Sequence, residues 1–271
     1  MNLNDLAKMV NKANEKRNPA QELLRDFNKV VSMENKPTQP TPNFKPSMMG
    51  GCLRRLYFCK IGEEVDYSLP TPELVGIGES GTDRHERIQR YLAKMNELEG
   101  FKWKWVDVGE YVKKYKPEGT SVIKQVGMET KLYNEIFDLS FMCDGVIQDT
   151  ETGQYYIVEI KTETSFKYQS HDDIYADHEI QATCYSVALG IDKVIFIYEN
   201  RDLCNKKVGY LEITDEMKQQ NVVDRVEYVN NCIKENKIPH KSISVNTKVL
   251  NEDKHCKWCD YKKSCKKWGE S

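Results

Sequence analysis

The sequence has no long apolar run, no internal repeat and little net charge. No stretch of 18 apolar residues occurs, and the first 17 residues, MNLNDLAKMVNKANEKR, lack the apolar core of a signal peptide. We therefore expect a cytoplasmic protein without a membrane segment. The net charge of −2 gives no global attraction for a polyanion, so nucleic-acid binding would have to come from local clusters of lysine and arginine.

The sequence has nine cysteines but shows no secretion signal, which would accompany a disulfide framework. We therefore expect the cysteines to be free thiols or metal ligands. Three of them form a C-x2-C-x5-C pattern among lysines: Cys256, Cys259 and Cys265. Three thiolates leave a tetrahedral site one ligand short. Cys52 is the candidate for the fourth ligand because it opens an arginine-rich helix, and Cys59 is its rival. The spacing fits structural zinc and an iron–sulfur cluster nearly equally, and His255 can replace a cysteine if the metal is zinc.

The N-terminal part has a different composition from the rest. Apolar residues recur at helical spacing, with Asn18-Pro19 as the break between two helices. Four prolines between positions 37 and 46 then predict an extended linker. We therefore expect a helical appendage (1–34), a proline-rich linker (35–46), and one domain (47–271) with the cysteine segments at 52 and 256–265. The appendage is a candidate for binding a protein partner or for capping the domain.

The domain alternates between predicted helices and strands. Ser47 is the predicted cap of a basic helix that ends near Gly62. A second helix is predicted over 81–98, with His85 on the same side as Ile88. Residues 101–150 predict strands, and the polar residues 162–173 predict a mobile connection. The later predicted elements are a helix over 176–189 ending at Gly190, strands over 193–199 and 208–214, and a long helix over 216–237.

The most informative stretch is 141–161, which predicts two β-strands joined by a polar turn. Asp144 lies in the first predicted strand, and Glu159-Ile160-Lys161 ends the second. Side chains two apart on a strand share a face, so Glu159 and Lys161 should project together while Ile160 enters an apolar layer. Two carboxylates and a lysine at a strand end suit metal-assisted phosphodiester hydrolysis. The alternative is an acid near a turn and an exposed ion pair on an edge strand.

The ordered set of these motifs resembles the iron–sulfur branch of the RecB-like PD-(D/E)xK nucleases, which includes the CRISPR-associated RecB-like exonucleases and the AddB nuclease domain. The residues that carry the resemblance are Cys52, His85, Asp144, Glu159-Ile160-Lys161, Gln181-x3-Tyr185 and Cys256-x2-Cys259-x5-Cys265. It covers roughly residues 47–268. The resemblance implies an α/β (α+β) fold with a restriction-endonuclease-like core, in which helices flank a mixed β-sheet and an iron–sulfur cluster joins the N- and C-terminal segments.

The resemblance also implies a role for each of these residues. The ligands of Mg²⁺ or Mn²⁺ would be His85, Asp144, Glu159 and the carbonyl of Ile160. Lys161 would be the catalytic lysine, acting together with Asp144 and Glu159. Gln181 and Tyr185 would contact the DNA strand or the site. The ligands of a 4Fe–4S cluster would be Cys52, Cys256, Cys259 and Cys265.

Together these features predict a metal-dependent deoxyribonuclease, in particular an exonuclease on single-stranded DNA ends in recombination, repair, replication or CRISPR-type processing. Two alternatives stay open: an endonuclease of the same fold, and a catalytically silent iron–sulfur protein that binds DNA ends. The intact set of acids, lysine and histidine favours activity. The expected cofactors are Mg²⁺ or Mn²⁺ and a 4Fe–4S cluster, with zinc as the less favoured occupant of the cysteine site. The expected partners are DNA and, through the N-terminal helices, other proteins.

Overall fold

A computed structural model describes residues 18–66, 68–239, 256 and 259–268 of the chain. The chain divides into one compact unit formed by Met1–Thr38 and Tyr67–Ser80 and a second formed by Gln39–Asp66 and Gly81–Ser271. In the first unit, helix α1 (Pro19–Glu34) begins after Asn18, whose side chain accepts hydrogen bonds from two backbone N–H groups of the first turn. The predicted break at Asn18-Pro19 is therefore a helix start. The helix predicted before it lies outside the described residues.

The remaining elements alternate between helices and strands, and helix α4 contributes residues to both units. The helices after α1 are α2 (Pro46–Met49), α3 (Leu53–Lys60), α4 (Pro72–Lys94), α5 (Val108–Tyr115), α6 (Ser165–Gln169), α7 (Ala176–Leu189), α8 (Asp215–Lys218), α9 (Asp224–Lys234) and α10 (Lys262–Trp268). A 3₁₀ turn (Met95–Glu97) follows α4, and a π-helical turn (Gln219–Val223) joins α8 to α9. The strands are β1 (Trp103–Val106), β2 (Thr120–Val126), β3 (Glu129–Asn134), β4 (Leu139–Cys143), β5 (Gly145–Asp149), β6 (Tyr155–Glu163), β7 (Lys193–Asn200) and β8 (Lys206–Glu212).

Five strands form a mixed sheet in the order β1-β5-β6-β7-β8, in which β6 and β7 are the parallel pair. Parallel neighbours need a crossover connection, and α6 and α7 supply it. The strands β2, β3 and β4 form a separate antiparallel sheet. The prediction of a mixed α/β architecture, with helices against a mixed sheet, is confirmed. The second sheet was not predicted.

Strand β6 separates two apolar layers. Ile157 belongs to the larger core, with the buried residues of α7, whereas Val158 and Ile160 pack with Ile88 of α4 in a smaller cluster. Successive side chains of a strand point to opposite faces, which explains this division. The prediction that Ile160 enters an apolar layer is confirmed, and Val158 and Tyr156 belong to the same layer.

The structure corrects two predicted helix starts. Ser47 lies inside α2, which begins with Pro46, and Cys52 occupies the N-cap position of α3. Pro46 explains the earlier start, because a proline in the first turn of a helix loses no intrahelical hydrogen bond. Helix α4 begins at Pro72 rather than near 81, because Thr71 Oγ1 caps its first turn by accepting a hydrogen bond from the Leu74 N–H at 3.3 Å.

Two further segments are helical where the sequence predicted other structure. Residues 108–115 were expected to be part of a strand region but form α5, because the Asp107 side chain caps its first turn. Residues 165–169 were expected to lie in a mobile connection but form α6, which is capped by Thr164. Helix α7 has the predicted bounds and ends at Gly190, which adopts a left-handed conformation with φ +68°. Among the described residues, no helix is long and apolar enough to cross a bilayer.

Candidate active site

Asp144 lies where the chain passes from one sheet to the other. Strand β4 ends at Cys143 and β5 begins at Gly145, so Asp144 falls between two strands. The sequence had predicted Asp144 within a strand. The backbone N–H of Ile160 donates to Asp144 Oδ2 at 2.7 Å, and the buried side chain of Gln89 donates to the Asp144 carbonyl at 2.8 Å. The bond from β6 holds the carboxylate, and the bond from α4 holds the backbone of Asp144, at the junction of the two sheets.

The residue after Asp144 has to be a glycine. The ring of Trp105 on β1 lies across Gly145, and a Cβ atom at this position would be 2.1 Å from the nearest ring carbon. A side chain at this position would force the Trp105 ring to move, so Gly145 allows β5 to pair closely with β1. This close pairing determines the direction in which the chain leaves Asp144.

Three ligand-type side chains converge beside this junction. His85 Nδ1 lies 3.3 Å from Asp144 Oδ1 and 3.8 Å from Glu129 Oε1. The ligand atoms of these three residues all lie within 4.8 Å of one another, and we call them the His85–Glu129–Asp144 group. Glu129 was missed as a site residue in the sequence. It is the first residue of β3, and only the pairing of β3 with the end of β4 brings it next to Asp144.

The two carboxylates change the protonation of the histidine. Burial lowers the pKa of His85, but hydrogen bonds to Asp144 and Glu129 outweigh it and raise the pKa to about 10. Without another cation the imidazole is therefore protonated at neutral pH and is itself the positive charge between the two acids. A divalent cation bound here would replace that proton.

Lys161 belongs to a hydrogen-bonded network with residues of α7. Lys161 Nζ lies 2.6 Å from Glu159 Oε1, which confirms that the two side chains project from the same face of β6. The Gln181 side chain joins them: its Oε1 accepts from Lys161 Nζ at 2.8 Å, and its Nε2 donates to Glu159 Oε1 at 2.9 Å. Gln181 Nε2 also donates to Tyr185 Oη at 2.6 Å, one turn further along the helix. We call these four residues the Lys161 network.

Glu159 connects the network to the His85–Glu129–Asp144 group electrostatically. Burial raises the pKa of Glu159 to about 7, with Lys161 opposing the shift and Asp144 adding to it. Its Oε2 is buried and has no hydrogen-bond partner among the described residues. Glu159 lies outside the group of ligand atoms within 4.8 Å of one another, but this oxygen is free to accept a further ligand. An imidazole nitrogen and carboxylate oxygens are donors that suit Mg²⁺ or Mn²⁺.

A buried carboxylate holds the helix that carries His85. Glu199 of β7 is fully buried, and its Oε1 accepts from Arg84 at 2.9 Å and from Arg87 at 2.5 Å, both on α4. Its Oε2 lies 2.9 Å from Lys206 Nζ. Burial opposes ionisation of Glu199, but these cationic partners keep its pKa below the usual range. Glu199 was not predicted as important, and its three partners become apparent only in the folded chain.

The structure brings the C-terminal segment against α3. Arg54 Nη1 donates to Cys265 Sγ at 3.5 Å, and Arg55 pairs with Asp260 at 2.5 Å. Cys259 and Cys265 are half-buried against the main core. Cys52 at the start of α3 is also half-buried, whereas Cys256 is exposed. The rival ligand, Cys59, donates to the backbone carbonyls of Thr41 and Asn43. His255 lies outside the described residues.

The metal centre at the four predicted cysteine ligands stays a prediction. Among the described residues, no three sulfur atoms lie within 4.8 Å of one another. Zinc bonds to sulfur of about 2.3 Å require sulfur atoms about 3.8 Å apart. The segments that carry the cysteines are adjacent, because Arg54 and Arg55 of α3 contact Cys265 and Asp260.

A comparison with known protein families found no match for the chain, and a comparison with curated proteins found none either. Solved structures align with it at low similarity. The crystal structure of SSO0001 aligns at 14% identity over 92% of this chain and 96% of that chain, with a TM-score of 0.43. An alkaline exonuclease (LHK-Exo) from Laribacter hongkongensis, alone or in complex with dAMP, aligns at 11% identity over 72% of this chain and 89% of that chain, with a TM-score of 0.42. Similarity at this level carries no argument for a function.

Proposed function

We propose that this chain is a metal-dependent deoxyribonuclease of the RecB-like PD-(D/E)xK type that hydrolyses DNA from single-stranded ends. The observation that carries the proposal is the His85–Glu129–Asp144 group, with Glu159 and Lys161 on the adjoining strand. The choice of DNA, and of free ends as the point of attack, rests on the resemblance of the sequence motifs. The mixed sheet with its parallel β6–β7 pair and helical crossover is compatible with such a core.

The arrangement of the donors supports a bound divalent cation. His85, Glu129 and Asp144 would hold Mg²⁺ or Mn²⁺, with Glu159 Oε2 as a further oxygen ligand. The cation would activate a water molecule and neutralise negative charge on the phosphate. The Ile160 N–H holds Asp144 Oδ2, so the Asp144 carboxylate presents Oδ1 to the group in a fixed orientation.

Lys161 has one donor left for the reaction. Its ammonium group has three N–H donors, and Glu159 and Gln181 accept two of them. The third would orient the attacking water or stabilise a phosphate oxygen. Both polar ends of Gln181 are already used within the Lys161 network, so we assign Gln181 the role of positioning Lys161.

The substrate is tested with end-labelled linear single-stranded DNA and a circle of the same sequence. With Mg²⁺ or Mn²⁺ we expect degradation of the linear strand and an intact circle, and chelation of the cation should stop the reaction. Cleavage of the circle would instead establish an endonuclease. Binding of DNA ends without cleavage of either substrate would identify a silent binding protein and contradict the proposal.

The role of Lys161 is tested by Lys161→Met, which keeps the length of the side chain and removes its charge. We expect cleavage to fall by about 100-fold or more, because the group that orients the water is lost. The Kd for uncleaved DNA, measured in Ca²⁺, should change by less than about threefold, since Lys161 contributes one of many phosphate contacts. Lys104→Met, an exposed lysine of β1, is the matched control. Wild-type cleavage by Lys161→Met would remove the lysine from the mechanism.

We further propose that Cys52, Cys256, Cys259 and Cys265 bind a structural metal centre, a 4Fe–4S cluster or zinc. Support comes from the contacts that join α3 to the C-terminal segment: Arg54 with Cys265, Arg55 with Asp260, and Glu63 Oε1 with Ser264 Oγ at 2.8 Å. Protein purified without oxygen should contain iron and sulfide and absorb visible light. Colourless protein with stoichiometric zinc would establish the zinc form, and protein with neither metal would refute the centre.

A further inference from the structure

Arg225 is a buried cation without a described anionic partner. It lies in the first turn of α9, and only 2% of its surface is exposed. Its Nη2 donates to the Gly51 carbonyl at 2.7 Å, while its Nε is buried without a hydrogen-bond partner. In the described part of the chain it forms no ion pair with a carboxylate. Because arginine stays protonated, this position carries a desolvated charge that needs an anion nearby.

The ionisable groups near Arg225 are two thiols. Gly51 directly precedes Cys52, so the bond to the Gly51 carbonyl places the guanidinium beside Cys52. Cys52 and Cys184 are the two thiols that lie close enough to Arg225 to influence the pKa of its guanidinium, which burial lowers. Cys184 is completely buried, and burial raises its pKa to about 12, so it stays neutral. Cys52 is half-buried at the N-terminus of α3.

A second guanidinium is directed at another of these sulfurs. Arg54 donates from Nη1 to Cys265 Sγ at 3.5 Å and from Nε to the Pro239 carbonyl at 2.8 Å. It also forms no ion pair with a carboxylate of the described residues. Its neighbour Arg55, by contrast, pairs with Asp260. Two cations near the cysteine segments thus lack carboxylates, which is the arrangement expected around an anionic centre.

We propose that Arg225 is the buried counter-cation of a negatively charged metal–thiolate centre at Cys52, and that Arg54 donates to the same centre through Cys265. The inference rests on the cysteine centre proposed above. Four thiolates around zinc, or around a 4Fe–4S cluster, leave a net negative charge that a desolvated guanidinium offsets. Arg225 is a positioning residue: it does not ligate the metal but stabilises the charge and location of the thiolate that does.

The charge of Arg225 is tested in the full chain purified without oxygen. Arg225→Gln keeps a donor for the Gly51 carbonyl but removes the charge, whereas Arg225→Lys keeps the charge. The readouts are metal per chain and the half-time of metal loss to a chelator. We expect Arg225→Gln to lose metal at least about tenfold faster than the wild type, with Arg225→Lys much closer to it. Lys234→Gln, an exposed cation on the same helix, is the matched control.

The outcomes separate this inference from the proposed centre. If the wild type contains metal and Arg225→Gln loses it no faster, the role of Arg225 is overturned. The proposal of a cysteine centre is then unaffected. A wild-type protein that contains neither iron nor zinc would overturn both.

A second pair of variants leaves Arg225 in place and changes the charge opposite it. Cys52→Asp keeps an anion opposite Arg225, and Cys52→Asn does not, although both residues cap helices equally well. We expect Cys52→Asp to unfold at a temperature about 3 °C or more above Cys52→Asn. Adding Arg225→Gln should abolish the difference. Equal melting temperatures would overturn the proposal, and so would a difference that persists unchanged with Arg225→Gln, because the helix dipole alone would then explain it.

Discussion

Acidification should destabilise this protein through His178 of α7. The side chain is 9% exposed, its ring stacks on Phe196 and Tyr198, and its Nδ1 lies 3.1 Å from Tyr198 Oη. Burial, with the nearby charge of Lys161 as a smaller cause, lowers the pKa of His178 from 6.5 to about 4. The folded protein therefore keeps this imidazole neutral at a pH where the unfolded chain protonates it.

Proton linkage gives the direction and the size of this change in the free energy of unfolding. Between pH 6.5 and pH 4 the unfolded state binds more protons at His178 than the folded state, so the free energy of unfolding falls as the pH falls. The two pKa values differ by about 2.5, and each unit corresponds to about 1.4 kcal/mol, so the full loss is about 3 kcal/mol below pH 4. At pH 5 the loss is about 2 kcal/mol.

The assay is urea unfolding of the wild type and of His178→Gln at pH 7 and pH 5. Glutamine stays neutral at both pH values and can still hydrogen-bond to the Tyr198 hydroxyl. The wild type should lose about 2 kcal/mol more than the variant between the two pH values. Acidic groups such as Glu163 and Glu199 contribute equally to both proteins and cancel in the comparison. An equal loss in the two proteins would refute the assignment of a neutral, buried His178.

Three further substitutions test the site and its supports. Glu129→Gln removes one carboxylate of the proposed cation site, so half-maximal cleavage should need at least about tenfold more Mn²⁺. The control Glu135→Gln, at an exposed position, should need the same Mn²⁺ concentration as the wild type. An unchanged Mn²⁺ requirement in Glu129→Gln would exclude Glu129 as a ligand. Glu199→Gln removes the buried negative charge that faces three cations and should lower the free energy of unfolding in urea by about 2 kcal/mol. A loss under about 0.5 kcal/mol would contradict this role. Gly145→Ala should lower the free energy of unfolding in urea by about 2 kcal/mol, because the added Cβ meets the Trp105 ring. Adding Trp105→Leu should restore part of this loss. If it restores none, the strain does not come from Trp105.

The sequence by itself determined the relations that depend on one element at a time. The alternation of a strand was sufficient to place Glu159 and Lys161 on one face, and the period of a helix to place Gln181 and Tyr185 one turn apart. The bounds of α7 were also predictable, because Gly190 ends an apolar helix. These relations follow from backbone geometry, which is nearly the same in every strand or helix.

Only the tertiary structure decided which separate segments meet. Glu129 joins His85 and Asp144 because β3 pairs with β4, and Asp144 lies between two sheets because β5 leaves β4 to pair with β1 and β6. Arg225 donates to the carbonyl of Gly51, the residue before Cys52, although 174 residues separate Arg225 from Gly51 along the chain. No local period encodes such contacts. They result from the burial of several elements in one core, where the position of each side chain depends on all the others.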